Sequence, residues 1–155
     1  MISEAHELSF KSARVKTTLS CSDDWQELGF ILRPGDQVVI TAEGEYLNSS
    51  GGRINGNGVD VSGDEKQRAR SYDPLFPHGC LIARTSGRPG EVFHIGKSGI
   101  LRTETGGRLQ VRVNDLDLAG NRGVLQVKAR TFFKEPPGGI QLRGSRDSTV
   151  TPILR

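Results

Sequence analysis

The stretch from Gly106 to Arg130, GGRLQVRVNDLDLAGNRGVLQVKAR, constrains the fold of this chain more than any other. Leu109, Val111 and Val113 alternate with polar residues before a short loop, and Leu125, Val127 and Ala129 do so after it. Strict alternation marks a strand with one face buried, so these side chains are predicted to share a core. A helix would scatter them around its circumference, because its side chains repeat every ~3.6 residues. The loop between holds Asn114, Asp115, Asp117 and Asn121. Such a crowd of oxygen-bearing side chains suits hard donors for Ca²⁺ or a sugar. It equally suits a plain turn, since Asn, Asp and Gly tolerate unusual dihedrals and cap their own amides.

Further strands are predicted at about 13–19, 27–32, 37–43, 80–84, 91–95 and 99–103, besides 108–114 and 124–131. Eight short strands divided by turn signals read as an antiparallel sandwich or jelly roll. The twenty glycines and seven prolines agree, and helix signals are weak throughout. Arg33-Pro34-Gly35-Asp36 forms a turn, with proline setting the first central dihedral and glycine accepting the positive one. After it Val38, Ile40 and Ala42 share a predicted core face. The segment from Tyr46 to Gly79 is long for a connection in a compact domain, and such loops commonly bind something. Within it Asn55-Gly56 and Asn57-Gly58 are candidates to close a small hairpin. The mixed charges from Asp64 to Arg70 read as solvated surface.

The 155 residues suffice for one domain with a substantial core. Residues 1–133 are assigned to it. Periodicity stops after Phe133, and 134–155 read as an extended C-terminal tail with Pro136, Pro137 and Pro152. Its Ile140, Leu142, Val150, Ile153 and Leu154 exceed what a linker needs, which points to docking on a protein partner. The net charge of +3 is unevenly placed, with Lys134, Arg143, Arg146 and Arg155 against Glu135 and Asp147 in that tail, and these few dispersed cations make a weak nucleic-acid signal, since phosphate-driven affinity scales with the number of contacts. Cys21 and Cys80 can pair only in an oxidising compartment. No run approaches the ~20 apolar residues of a membrane span, and the N-terminus lacks the apolar region of a secretory signal. Synthesis in the cytoplasm is the expectation.

Four segments carry a resemblance to a known family: DDWQELGFILRPGDQVVITAEGEY, PHGCLIARTSG, FHIGKSG and GGRLQVRVNDLDLAGNRGVLQVKA. In order and spacing they resemble the PA-IL-like bacterial galactose-binding lectins, over roughly residues 13–131. The resemblance implies a small jelly-roll sandwich, of galactose-binding-domain-like type, in which one Ca²⁺ bridges the protein to two sugar hydroxyls. Carried over, it gives Tyr46 a backbone carbonyl ligand, Asp115 a bidentate carboxylate, Leu118 or Ala119 a further carbonyl, and Asn121 a side-chain oxygen. His78 falls near a polar sugar contact. The loop departs from the pattern: it is about two residues short, Gly120 stands where an Asn or Asp is expected, and Arg122 brings a positive charge. Asp117 is a candidate to replace the lost oxygen, and Arg122 to pair with Asp115 and occupy the cation's place.

Other signals carry less. Gly96-Lys97-Ser98 ends like a phosphate loop, but Glu91 stands where its first glycine belongs. His78 and His94 lack partners at zinc-ligand spacing, and Ser98 lacks a nucleophile-elbow pattern. Trp25 suits either a sugar face or the end of the sandwich. No acid–base pair follows from spacing, so enzymatic activity is not expected. Two roles remain: an accessory or structural subunit held to a larger assembly by its tail, or a calcium-dependent carbohydrate-binding lectin.

Overall fold

A computed structural model describes the backbone of residues 10–134 and the side chains of residues 13–131. Two four-stranded antiparallel sheets enclose the core. The first runs β1 (Phe10–Ser20), β10 (Val124–Lys134), β3 (Gln37–Glu43), β8 (Ser98–Arg102). The second runs β2 (Gln26–Leu32), β9 (Gly107–Val113), β6 (Leu81–Thr85), β7 (Phe93–His94). A hairpin of β4 (Glu45–Leu47) and β5 (Arg53–Asn55) stands apart, and the short helix α1 spans Glu65–Arg68. All the strands expected from alternation are present, within a few residues of their expected bounds. The fold is an all-β sandwich.

The two alternating strands of the opening stretch fall on opposite sheets and supply the inner face of each. Ala129 lies between Val15 and Ile40, and Val127 between Thr17 and Ala42. Across the core Val111 lies beside Ala83, and Val113 beside Leu81. Leu109, Val111, Val113, Leu125 and Val127 are wholly buried and Ala129 nearly so, as are Val38, Ile40 and Ala42. The Arg33–Asp36 turn forms as expected: Asp36 N donates to Arg33 O at 3.0 Å, and Arg33 N to Asp36 Oδ2 at 2.7 Å.

The long segment departs from expectation in one respect. Its hairpin is closed by Asn48, not by the Asn-Gly pairs. Asn48 Oδ1 accepts from Ser50 N, Ser50 Oγ and Gly52 N, which fixes the turn between β4 and β5. Asn55 to Gly58 make a separate turn just beyond it, with Gly58 N donating to Asn55 O at 2.9 Å. The remainder folds over the outside of the second sheet. Phe76 stacks on His94 of β7, and Tyr72 meets Trp25 edge-on at 5.6 Å. The Arg112 guanidinium lies 4.4 Å from the Tyr72 ring and that of Arg84 4.3 Å from the Trp25 ring. Ile82 therefore has no exposed surface although it points away from the core, and Trp25 is half-buried beneath cations at the sheet's edge.

Cys21 and Cys80 are free thiols, both wholly buried. Burial pushes each up to about 12. Lys134 ends β10; residues 135–155, with the docking expected of them, lie outside the described residues. No helix among the described residues is long and apolar enough to cross a membrane.

Val111→Asp places a carboxylate in the dry centre of the sandwich, at a cost of several kcal/mol; thermal denaturation is expected to show a large fall in midpoint, and an unchanged one would reverse the assigned faces. The two thiols are expected to resist a thiol reagent at neutral pH until denaturant is added, because the reactive thiolate is disfavoured by burial; rapid native labelling would contradict their environment.

Candidate functional site

Alternation in β9 should turn Asn114 to solvent, yet it is wholly buried, because the loop that covers the second sheet is hung on it. Asn114 Oδ1 accepts from Asp73 N at 2.7 Å, and Nδ2 donates to the carbonyls of Asp73, Phe76 and Pro77. Its main chain exchanges 2.8 Å bonds with Cys80 and Gly79. Arg112 steadies the next residues: Nη2 donates to Asp115 O, Nε to Val113 O, and Nη1 to Asp24 Oδ1. The chain between β9 and β10 thus leaves the sheet on a rigid base.

Asp115 sits on that base with no exposed surface. Its Oδ1 accepts from Asp117 N at 2.8 Å, which closes the turn. Its Oδ2 is buried without a hydrogen-bond partner, 3.8 Å from His78 Nε2. On the far side of the imidazole, Ser71 Oγ and His78 Nδ1 are 2.9 Å apart. Burial lowers the pKa of His78, Asp115 raises it in part, and the Arg70 charge lowers it again. Ser71, His78 and Asp115 form a row with the composition of a hydrolase triad. However, 3.8 Å is too long for a hydrogen bond, and Ser71 is only 3% exposed. A nucleophile must reach its substrate, so the row is a buried brace.

Tyr46 brings its ring, not only its backbone, to this place. The ring is buried, and its hydroxyl donates to Gly79 O at 2.7 Å. Burial, together with the nearby Cys21, Asp115 and Cys80, pushes its pKa far above the ordinary value. Gly79 has φ +77, and a Cβ there would lie 2.5 Å from Ile54 Cδ1 and 2.6 Å from the Tyr46 hydroxyl. Only glycine permits that approach.

Asn121 closes the other end of the turn, after a single 3₁₀ turn at Leu118–Gly120. Both ends of its amide are engaged: Oδ1 accepts from Ser49 N at 3.0 Å, and Nδ2 donates to Cys21 O at 3.0 Å. Gly120 carries no side chain for a steric reason. A Cβ there would lie 2.6 Å from Ser49 Cβ, so no Asn or Asp fits unless the β4–β5 turn moves.

The cation beside the turn is Arg70, from the charge run read as plain surface. Its Nη2 lies 3.7 Å from Asp117 Oδ2 and donates to Ser49 Oγ at 3.3 Å, and its carbonyl accepts from Leu116 N at 2.8 Å. Arg122, the expected partner of Asp115, is exposed and instead pairs its main chain with Leu47. The site residues expected from sequence therefore lie at one end of the sandwich. Asp115 and His78 face each other in its interior, Asp117 meets solvent and Arg70, and Asn121 ties the turn to its neighbours. Arg70, Ser49 and Ser71 were not legible as site residues, because nothing in their spacing marks them.

As donors for Ca²⁺ these groups are few where six to eight oxygens are wanted: the buried Asp115 Oδ2, which has no hydrogen-bond partner, and the exposed Asp117 carboxylate, which faces Arg70. Among the described residues no cluster of three or more His, Cys, Asp or Glu stands at metal-binding distance.

The sheet order and the core define an all-β sandwich of two antiparallel sheets, with a long loop clasped over one of them. Among solved structures, the chain is similar to one described as the EclA N-terminal domain, a PllA-like lectin, with a TM-score of 0.56 and 14% identity. The match covers 84% of this chain and 100% of that one. At that identity the likeness is one of fold. No family model matches the sequence, and no curated protein matches it.

His78 gives the site a pH dependence. Its folded pKa lies below the ordinary 6.5, so as pH falls below that value the unfolded chain takes up a proton that the fold resists. Stability is full above about pH 6.5 and is expected to decline as pH falls through the folded pKa. Melting curves between neutral and mildly acidic pH should show the decline, and His78→Gln should remove its share of it.

Proposed function

We propose that this chain is a non-enzymatic, lectin-type carbohydrate-binding domain, with its sugar seat on the Asp115–Asn121 turn and Arg70 standing where a related lectin would use a cation. The observation that carries this reading is the Arg70 guanidinium, set against Asp117 and Ser49 at the end of a lectin-like sandwich. A sugar hydroxyl both donates and accepts. The exposed Asp117 carboxylate accepts from one hydroxyl while Arg70 donates to its neighbour, in charge-assisted bonds roughly twice as strong as neutral ones. Leu116, 60% exposed, offers an apolar edge to the sugar's C–H face. His78 lies too deep to touch the sugar and supports Asp115 from beneath.

A calcium-dependent seat is the second reading, and the unpartnered Oδ2 of Asp115 favours it. It is also what a PA-IL-like kinship would imply. Tyr46 by its carbonyl, Asp115, Asp117 and Asn121 would then hold the ion. Arg70 would have to leave Asp117, and Asn121 would have to give up Ser49. The accessory-subunit role belongs to residues 134–155, and is supported by the apolar side chains of Ile140, Leu142, Val150, Ile153 and Leu154 in that segment. On that reading, truncation after Phe133 leaves a folded domain that no longer joins its assembly.

Calorimetry with galactose and a panel of neutral sugars, in EDTA and in millimolar Ca²⁺, tests the seat. Saturable heat that persists in EDTA and weakens roughly ten- to a hundredfold in Arg70→Ala is the expected result. Heat that EDTA abolishes and Asp115→Ala removes would replace this reading with the calcium-dependent one. Absence of heat under both conditions would remove the sugar seat altogether.

A further inference from the structure

The outer face of the first sheet has a pattern that the fold does not need. Along β1, Arg14 and Lys16 point away from the core, and along β10, Lys128 and Arg130 do the same. Antiparallel register sets Arg14 directly opposite Arg130 and Lys16 directly opposite Lys128. Like charges in directly opposed pairs destabilise a sheet. Two such pairs in succession, about 7 Å apart along the strands, work against the fold that carries them. Among the described residues, no ion pair includes Arg14, Lys16 or Lys128. Glu43 is the one acidic side chain among the described residues of this face, and it sits at the end of β3, opposite Gln126. A groove of about 480 Å³ runs between the cations, with Val39 and Thr41 of β3 in its lining.

We propose that this groove is a second binding surface, for an acidic polysaccharide whose sulfate or carboxylate groups meet Arg14, Lys16, Lys128 and Arg130. The volume falls within the ~300–1,000 Å³ range of ligand clefts. Val39 suits the C–H face of a sugar ring and the Thr41 hydroxyl its polar edge. A second copy of the chain is the wrong occupant for this face, because cation would oppose cation. The tail is wrong as well, since its Arg143, Arg146 and Arg155 outnumber Glu135 and Asp147. Single-stranded nucleic acid would want aromatic rings for its bases, and among the described residues no aromatic side chain lines the groove. An anionic membrane would meet a recess between the charges, with Ile100 the exposed apolar side chain beside it. None of the lining residues belongs to the turn or the clasped loop, so this surface stands or falls separately from the sugar seat.

The test uses heparin and polygalacturonate as probes, with neutral dextran, single-stranded DNA and phosphatidylserine vesicles as comparisons, titrated into the full chain. Heparin or polygalacturonate is expected to bind with an affinity that falls steeply with salt, while dextran does not bind. Lys16→Glu with Lys128 retained turns a repulsive pair into an attractive one. That variant is expected to melt no lower than the parent while losing about tenfold in affinity, as the double Lys16→Gln, Lys128→Gln variant also does. Arg70→Ala leaves this binding unchanged. The proposal is overturned if neither acidic polysaccharide binds at low salt, if the Lys16 and Lys128 variants bind as tightly as the parent, or if Arg70→Ala abolishes binding. Tighter binding of DNA or of vesicles would overturn it in favour of that ligand.

Discussion

The Asn114 carboxamide is buried at the end of β9, and the rest of this molecule's particular character depends on it. It satisfies one amide and three carbonyls of residues 73–77, backbone groups that a long loop would otherwise have to leave in water. With that bond set made, the loop can lie on the second sheet. Phe76 then reaches His94, Tyr72 reaches Trp25, and Ile82 is sealed from solvent. An apolar residue at position 114 would keep the sandwich core and lose the covering layer, since several buried polar groups would be left unpaired at once.

The same clasp shapes the candidate site. It brings Ser71 and His78 beneath Asp115 and delivers Arg70 to the turn from outside. The charges are then divided by depth. Asp115 and His78 lie in the interior, where burial holds the imidazole below its ordinary pKa, while Asp117 and Arg70 meet at the surface, open to solvent. The guanidinium beside the turn balances the charge of Asp117. The Oδ2 of Asp115 stays buried beneath them without a hydrogen-bond partner.

The two sheets have different outer faces. The second is covered by the chain's own loop and its aromatic and guanidinium contacts, so it presents little free sheet surface at that end. The first is uncovered by the described residues and carries cations directly opposed across β1 and β10. That asymmetry follows from topology. The long crossover leaves from the β4–β5 hairpin and returns at β6, so it passes over the sheet that β6 joins.

Alternation alone determined the sandwich. Val111 or Ala129 can be buried in a strand only if every second neighbour is buried with it, and the faces assigned from sequence are the faces observed. Turn chemistry was nearly as legible at Arg33–Asp36, where proline and glycine fix the dihedrals locally. It misled at Asn55–Gly58, because Asn48 found better local partners in Ser50 and Gly52. What sequence could not supply was the meaning of the polar residues. Asn114 and Asn121 have the same composition as a ligand loop and serve as braces, since an amide's role depends on which distant backbone groups fold brings to it. Arg70 looked like one charge among several, and only the tertiary path of the 59–79 loop set it, and not the nearer Arg122, beside Asp117. Periodicity is a local property of the chain, whereas the partner of a charge or an amide is decided by contacts between residues far apart in sequence.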